Sequence, residues 1–155
     1  MTVVLARIDQ RLIHGLIVNQ WAQKLQVKRF MVVDDEISQN EDIKASMRMS
    51  KPAGTGMSII DTQKAITNFN AGKYDAQRVL ILVKEPATLI KLIEGGVDIP
   101  KVDLGILFNE DGRQPVTKFV ALDDQEKADL ETIKQKGVPL VIQYVPDDPE
   151  QAYEG

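Results

Sequence analysis

Short apolar runs rich in β-branched residues alternate with helix-patterned stretches along this whole chain, and that alternation constrains the fold more than any single residue does. The runs are Val3–Ala6, Phe30–Val33, Met57–Ile60, Val79–Val83, Val102–Leu107, Phe119–Leu122 and Leu140–Val145. They are nearly continuous, as strands buried on both faces must be. The stretches between them have helical stripes and recognisable ends. Ile13, Ile17, Trp21 and Leu25 share one helix face. Asp61 is placed to cap a helix carrying Ala65, Ile66 and Phe69. Glu85-Pro86 opens another, with Leu89, Ile90 and Ile93 as its buried stripe and Gly95-Gly96 at its end. Asp123 with Glu126 forms the pattern of a capping box, and that helix stops at Gly137. Strands separated by helices pair in parallel, each crossover helix covering a sheet face. The predicted architecture is α/β: an open, mostly parallel twisted sheet of about seven strands with helices on both faces.

A chain of 155 residues buries roughly 70% of its unfolded surface, so one domain over residues 1–155 is expected, with 146–155 as a frayed acidic tail. There is no cysteine and one histidine, which argues against a disulfide framework, a thiolate metal site and a histidine-based zinc site. The net charge of −4 argues against nucleic acid as a partner, because binding a phosphate backbone needs a basic face. The opening Met-Thr-Val-Val-Leu-Ala-Arg is not a secretory signal, and no apolar run reaches the roughly 20 residues of a membrane helix. A cytoplasmic protein is the expectation.

Parallel sheets bind ligands outside the carboxyl ends of their strands. The segment that follows the first strand is Arg7-Ile8-Asp9-Gln10-Arg11-Leu12-Ile13-His14-Gly15, and it holds the single histidine. His14 therefore stands where a strand hands over to a helix. The free N–H groups and positive dipole end of a helix start favour bound anions, and an imidazole there is placed to attack a phosphoryl group. Arg11 offers a planar fork suited to two phosphoryl oxygens. Gly15 offers its N–H and, with no side chain, room for a partner. Asp9 is suited to orient Arg7, Arg11 or the ring, and equally to cap a turn. Arg7 either serves the site or pairs with an acid elsewhere. Asp34 and Asp35, closing the second strand, are placed to rim the same crevice or to start the next helix. Trp21 and Phe69 fall on apolar helix faces and read as core. No Walker loop and no glycine-rich dinucleotide fingerprint is present.

The loop around His14 resembles the phosphoacceptor loop, R-I-D-D/E-R-L-I-H-G, of the mannose/fructose/sorbose-type IIB components of the bacterial phosphoenolpyruvate-dependent sugar phosphotransferase system. Val32-Val33-Asp34-Asp35-Glu36-Ile37, Leu92-Ile93-Glu94-Gly95-Gly96-Val97, and Thr117-Lys118 followed by Val120 and Leu122 are similar to that family in the same order. The resemblance implies a cytoplasmic phosphocarrier without cofactor or metal. In it, His14 accepts a phosphoryl group through Nδ1 from a IIA phosphohistidine and donates it to a sugar during uptake through membrane IIC and IID subunits. Association with the membrane would run only through those subunits, which also largely select the sugar. The alternative on the same fold is a non-catalytic regulatory or anion-binding module. Asp34-Asp35 with Lys84 is also similar to the acidic pair and lysine of response-regulator receivers, but there the acidic pair follows the first strand. Three positions depart from the family pattern: Gln10 replaces a second acid, Leu16 replaces a frequent glutamine, and Ile106 follows Gly105 where many members have two glycines.

Overall fold

The computed structural model describes residues 2–155, except for the side chain of Leu16. In chain order the elements are β1 (Val3–Asp9), α1 (Gly15–Leu25), β2 (Arg29–Val33), a short 3-10 turn (Ile37–Gln39), α2 (Glu41–Met49), β3 (Gly56–Ile60) and α3 (Thr62–Asn70). They continue with β4 (Val79–Val83), α4 (Pro86–Glu94), β5 (Val102–Ile106), β6 (Gln114–Pro115), β7 (Ala121–Leu122), α5 (Asp124–Gln135), β8 (Leu140–Ile142) and β9 (Gln151–Ala152). A seven-stranded sheet has the order β3-β2-β4-β1-β5-β8-β9. All its pairings are parallel except the last, β8 with β9.

The layering follows from the direction in which the chain crosses the sheet. It steps one way from β1 to β2 to β3, then back through β4 to β5 and β8. Because crossovers of parallel strands are right-handed, the first two helices fall on one face and the later three on the other. The apolar clusters show this division. Ile17, Val18 and Trp21 of α1 pack on Leu5, Phe30, Val32, Leu80 and Leu82, with Met47 of α2 against the same cluster. Ala65, Leu89, Leu92, Leu130 and Ile133 of α3, α4 and α5 pack on Val3, Ile8, Met31, Val33, Val79, Ile81 and Val83. Alternate residues of β2 and β4 thus feed opposite clusters, which explains their unbroken apolar runs.

The helix ends follow the local chemistry. Asp61 accepts the Lys64 N–H, and Pro86 occupies the first turn of α4. Asp123 and Glu126 close a reciprocal capping box on α5. Gly96 and Gly137, at φ +96° and +88°, take the left-handed conformation that ends a helix. Helix α2, which has no apolar run to announce it, is capped by Asn40 accepting from the Ile43 N–H, with Glu41 and Asp42 in its first turn.

Two expectations need correction. Phe119–Leu122 is not a strand of the main sheet. Its second half, β7, pairs antiparallel with β6, while Leu107 and Val120 form an isolated bridge beside the end of β5. Phe119 is exposed while Val120 to Leu122 are buried, so the apolar run reflects burial beside the end of β5 and not a place in the main sheet. The tail also does not fray. β9 pairs with β8, the Tyr153 N–H donates to Leu140 C=O at 3.0 Å, and the Tyr153 side chain is buried. An aromatic anchor and an ion pair from Lys101 to Glu150 hold the tail over what would be an open sheet edge.

Candidate active site

Strand β1 is central, with β4 on one side and β5 on the other. β4 and β5 are joined by a crossover past β1, so the switch in strand order falls beside its carboxyl end, where such a sheet opens a crevice. The chain leaves β1 through a tight turn. The Leu12 N–H donates to Asp9 C=O at 2.9 Å and the Arg11 N–H donates to Asp9 Oδ1 at 2.9 Å. Leu12 is held at φ +57° with its side chain buried. A non-glycine residue in that conformation costs about 1–3 kcal/mol and persists only where packing over-determines it. Here the buried Leu12 side chain supplies that packing, in the cluster beneath α1.

The turn delivers His14 to the position just before α1. It has extended dihedrals (φ −131°, ψ 111°), its ring makes no capping bond, and the residue is exposed. The first helical bond runs from the Val18 N–H to the His14 C=O at 3.0 Å. The amides that open the helix therefore precede its bonded ladder and follow His14 directly in the chain. Gly15 is not required by the fold, since a Cβ there would meet nothing within 4 Å. What it leaves open is space above the helix start.

Arg11 lies beside the loop at 24% side-chain exposure, its Nε 3.6 Å from Asp9 Oδ1. Among the described residues, its Nε and Nη2 have no hydrogen-bond partner. Both atoms are buried, and the Nε faces the Asp9 carboxylate, so the guanidinium is held by charge rather than by a hydrogen bond. Arg11 also borders a cleft of ≈ 370 Å³, whose walls include Asn109, Thr117, Lys118, Phe119 and Tyr144. Phe119 stacks on Tyr144 at 3.9 Å between ring centres, with the Lys118 ammonium 5.4 Å from the Phe119 ring.

Asp9 and Arg7 are both buried. Arg7 Nη1 donates to Asp103 Oδ2 at 2.6 Å and to Gln143 C=O at 2.8 Å, and its guanidinium lies 5.4 Å from the Trp21 ring centre. Its Nε is 3.6 Å from Asp9 Oδ2. Of the two readings of Arg7, pairing with an acid elsewhere describes its contacts. Asp103 sits directly opposite it on β5. Burial pushes the Asp103 carboxyl up from its ordinary 3.8 to about 6, against the opposing pull of Arg7 and the Gln143 N–H.

Asp34 and Asp35 do not rim this crevice. They close β2, separated from β1 by β4. Asp34 Oδ1 accepts the N–H groups of Glu36 and Ile37 and so starts the short turn that follows. Asp35 Oδ1 accepts both the N–H and the hydroxyl of Thr62, at 2.7 and 2.8 Å. Those two bonds, the backbone one first, hold the Asp35 carboxyl below its ordinary range. With Lys84 and Lys91 the pair borders a separate cleft of ≈ 300 Å³. The reason is topological: consecutive strands β1 and β2 are not neighbours in the sheet.

Sequence reasoning missed several residues that the fold brings to the loop. Asp103 and Gly105 come from β5. Gln10, noted only as a departure, accepts at Oε1 from the Phe108 N–H and from Arg113 Nη1, at 2.6 and 2.8 Å. Arg113 is in turn clamped by two bonds to Glu126 of the α5 capping box. A signal existed for Asp103: a carboxylate inside a buried strand, like Arg7 in another, calls for a partner of opposite charge.

Comparison with known proteins extends over the same ground. The family model described as the sorbose subfamily IIB component of the PTS system matches residues 3–154. A fructose-specific EIIB component of Bacillus subtilis is 33% identical over 99% of this chain and 94% of its own length. A mannose-specific EIIAB component of Escherichia coli is 32% identical over 97% of this chain, which spans 46% of that longer protein. The crystal structure of an N-acetylgalactosamine-specific IIB component 1 from Escherichia coli superposes with a TM-score of 0.92 at 29% identity, covering 98% of this chain and 99% of that one.

Proposed function

The chain belongs to the sorbose subfamily of phosphotransferase-system IIB components, and from that premise we propose that His14 is the atom-bearing group of its reaction. A IIB component accepts a phosphoryl group from a IIA protein and transfers it to a sugar, working with membrane subunits of the same system. What is proposed is how these residues perform that reaction.

One observation carries the assignment. The chain's single histidine is exposed, makes no capping bond at the start of α1, and stands three residues after an arginine whose Nε and Nη2 have no hydrogen-bond partner among the described residues. In the first step a ring nitrogen of His14 attacks phosphorus, and the bond from phosphorus to the IIA histidine breaks. In the second, a sugar hydroxyl oxygen attacks phosphorus, its proton is lost, and the bond to His14 breaks. Both transition states spread negative charge over the equatorial oxygens, so catalysis is mainly positioning and charge stabilisation. Arg11 supplies the charged fork, and the N–H of Gly15 with the other opening amides of α1 supplies the dipole end. Asp9 fixes the turn and orients Arg11. Arg7 acts from beneath it, and the openness at Gly15 admits the donor protein.

The partners proposed for this chain are a IIA phosphocarrier and membrane IIC and IID subunits. The name of the mannose-specific relative, which joins A and B components in one protein, supports the first. No described helix is long and apolar enough to cross a membrane. A cytoplasmic single-domain subunit, docked on the membrane through IIC and IID, is the reading consistent with that. The test is transfer to sugar: the phosphorylated protein, mixed with membranes holding the cognate subunits, yields sugar phosphate and unmodified protein. A protein that becomes phosphorylated and never releases the group to any sugar would overturn the carrier role.

A further inference from the structure

Beneath the acceptor loop, charges alternate in a column: Asp103 at 0% exposure, Arg7 at 1%, Asp9 at 2%, then Arg11 at the surface. The fold gives up regularity to build it. The pairing of β1 with β5 slips between Ile8 and Asp9, and the skipped residue is Gly105. A Cβ on Gly105 would lie 2.3 Å from the Arg7 guanidinium carbon, so this glycine is the gap in which the guanidinium rests. Asp103 is itself fixed, accepting the Gln143 N–H at 2.8 Å through its other oxygen. Yet among the described residues Arg7 leaves Nε and Nη2 without a hydrogen-bond partner, and its Nε is the atom nearest Asp9.

Burying these charges is costly, and packing alone does not call for them. A dianion arriving at His14 supplies a reason. Asp9 is the carboxylate closest to the loop, and left alone it would repel the incoming phosphoryl group while competing for Arg11. A buried cation behind it offsets that charge and offers a substitute partner when Arg11 turns to phosphoryl oxygens.

We propose that Arg7, seated by Asp103 in the gap at Gly105, is a positioning residue for phosphoryl transfer that acts through Asp9 on Arg11. This rests on the His14 reading above and adds to it three residues remote from the phosphoryl group. The groups facing Asp103 are Arg7 from β1, the Gln143 N–H after β8 and Lys101 before β5. Burial raises its carboxyl to about 6, so the column is fully charged above that pH and loses its base below it.

Two arms test this. In the first, the rate of phosphorylation by phosphorylated IIA is measured for the unsubstituted protein, Asp103→Asn, Arg11→Lys and the double variant. Asp103→Asn should transfer about tenfold more slowly above pH 6, a size typical of coupling through a packed network. The ratio to the unsubstituted rate should approach one at about pH 5, where aspartate itself is neutral. In the Arg11→Lys background the same change should have little further effect, because its route is already cut. Parental rates in Asp103→Asn, or losses that simply multiply in the double variant, would overturn the proposal and leave His14 untouched. The second arm needs no transfer and no altered core. In the His14→Ala protein, which has no imidazole, the Arg11 Nε–H resonance should shift as Asp103 titrates, with an apparent pKa of about 6. A resonance flat from about pH 5 to about pH 8 would contradict the relay. Should the unsubstituted protein accept no phosphoryl group, the His14 reading falls and the positioning role falls with it, and the second arm then reports only whether Asp103 is coupled to Arg11.

Discussion

The carboxyl ends of β1 and β2 both carry an acid, at the last residue of β1 and just past the end of β2, with a basic residue nearby and a turn leading toward a helix. They differ in what is left over. At β2 the acids are spent: Asp34 accepts two amides of its own turn, and Asp35 accepts the N–H and hydroxyl of Thr62. At β1, Asp9 spends itself on the Arg11 N–H and two neighbouring guanidiniums, while among the described residues Arg11 Nε and Nη2 make no hydrogen bond and the His14 ring makes no capping bond. Charge at a strand end marks chemistry only where donors remain to be used. The central position of β1 and the left-handed Leu12 add to the contrast, since local strain held by packing is a recurring property of working sites.

Substitutions at the two ends should separate them. Arg11→Lys replaces a fork by a point charge and should slow phosphorylation about a hundredfold, corresponding to about 3 kcal/mol in the transition state. Rapid-quench kinetics with phosphorylated IIA would read this, and an unchanged rate would move Arg11 to the solvated surface. Asp35→Ala should leave that rate unchanged and cost about 1 kcal/mol of stability by denaturant titration, the net value of an exposed charged acceptor. Its pH dependence has a definite sign. A carboxyl held below its ordinary 3.8 contributes stability above that value and loses it as pH falls through the folded-state pKa. The gap between the two proteins should therefore close in acid.

Asp103 runs the other way. Raised to about 6, it binds a proton more tightly when folded, so its contribution is fully present below 3.8 and is lost as pH rises through about 6. Thermal unfolding of Asp103→Asn should lack that slope. Smallest of all, Gly15→Ala should not lower stability, because a Cβ there meets nothing within 4 Å and alanine is the better helix former. A slower reaction with IIA despite an unchanged melting temperature would show that the open space serves the partner.

How much of this was legible in the sequence depends on distance along the chain. His14, Arg11 and Asp9 share one short turn, so their proximity could be read directly. The caps at Asp61 and Asp123 were legible for the same reason. Asp103, Gly105, Gln143 and Arg113 reach the loop from other strands and loops, and their contacts depend on strand order, which no local pattern reveals. Asp34 and Asp35 illustrate the converse. They looked like neighbours of His14 because β2 follows β1 in sequence, but β4 lies between them in the sheet. Tyr153 escaped notice because its tail is acidic, and one aromatic anchor outweighs that composition.

The contrast between the strand ends comes down to which atom carries the phosphoryl group. The protein is incubated with phosphoenolpyruvate, the two general carrier proteins and a cognate IIA, then weighed intact and after treatment with acid, base or hydroxylamine. One phosphoryl group per chain is predicted, lost in acid, stable in base, and absent from a His14→Ala protein that keeps its melting temperature. An acyl phosphate cleaved by hydroxylamine, or a phosphoryl group still acquired by His14→Ala, would place the chemistry on a carboxylate and contradict the account.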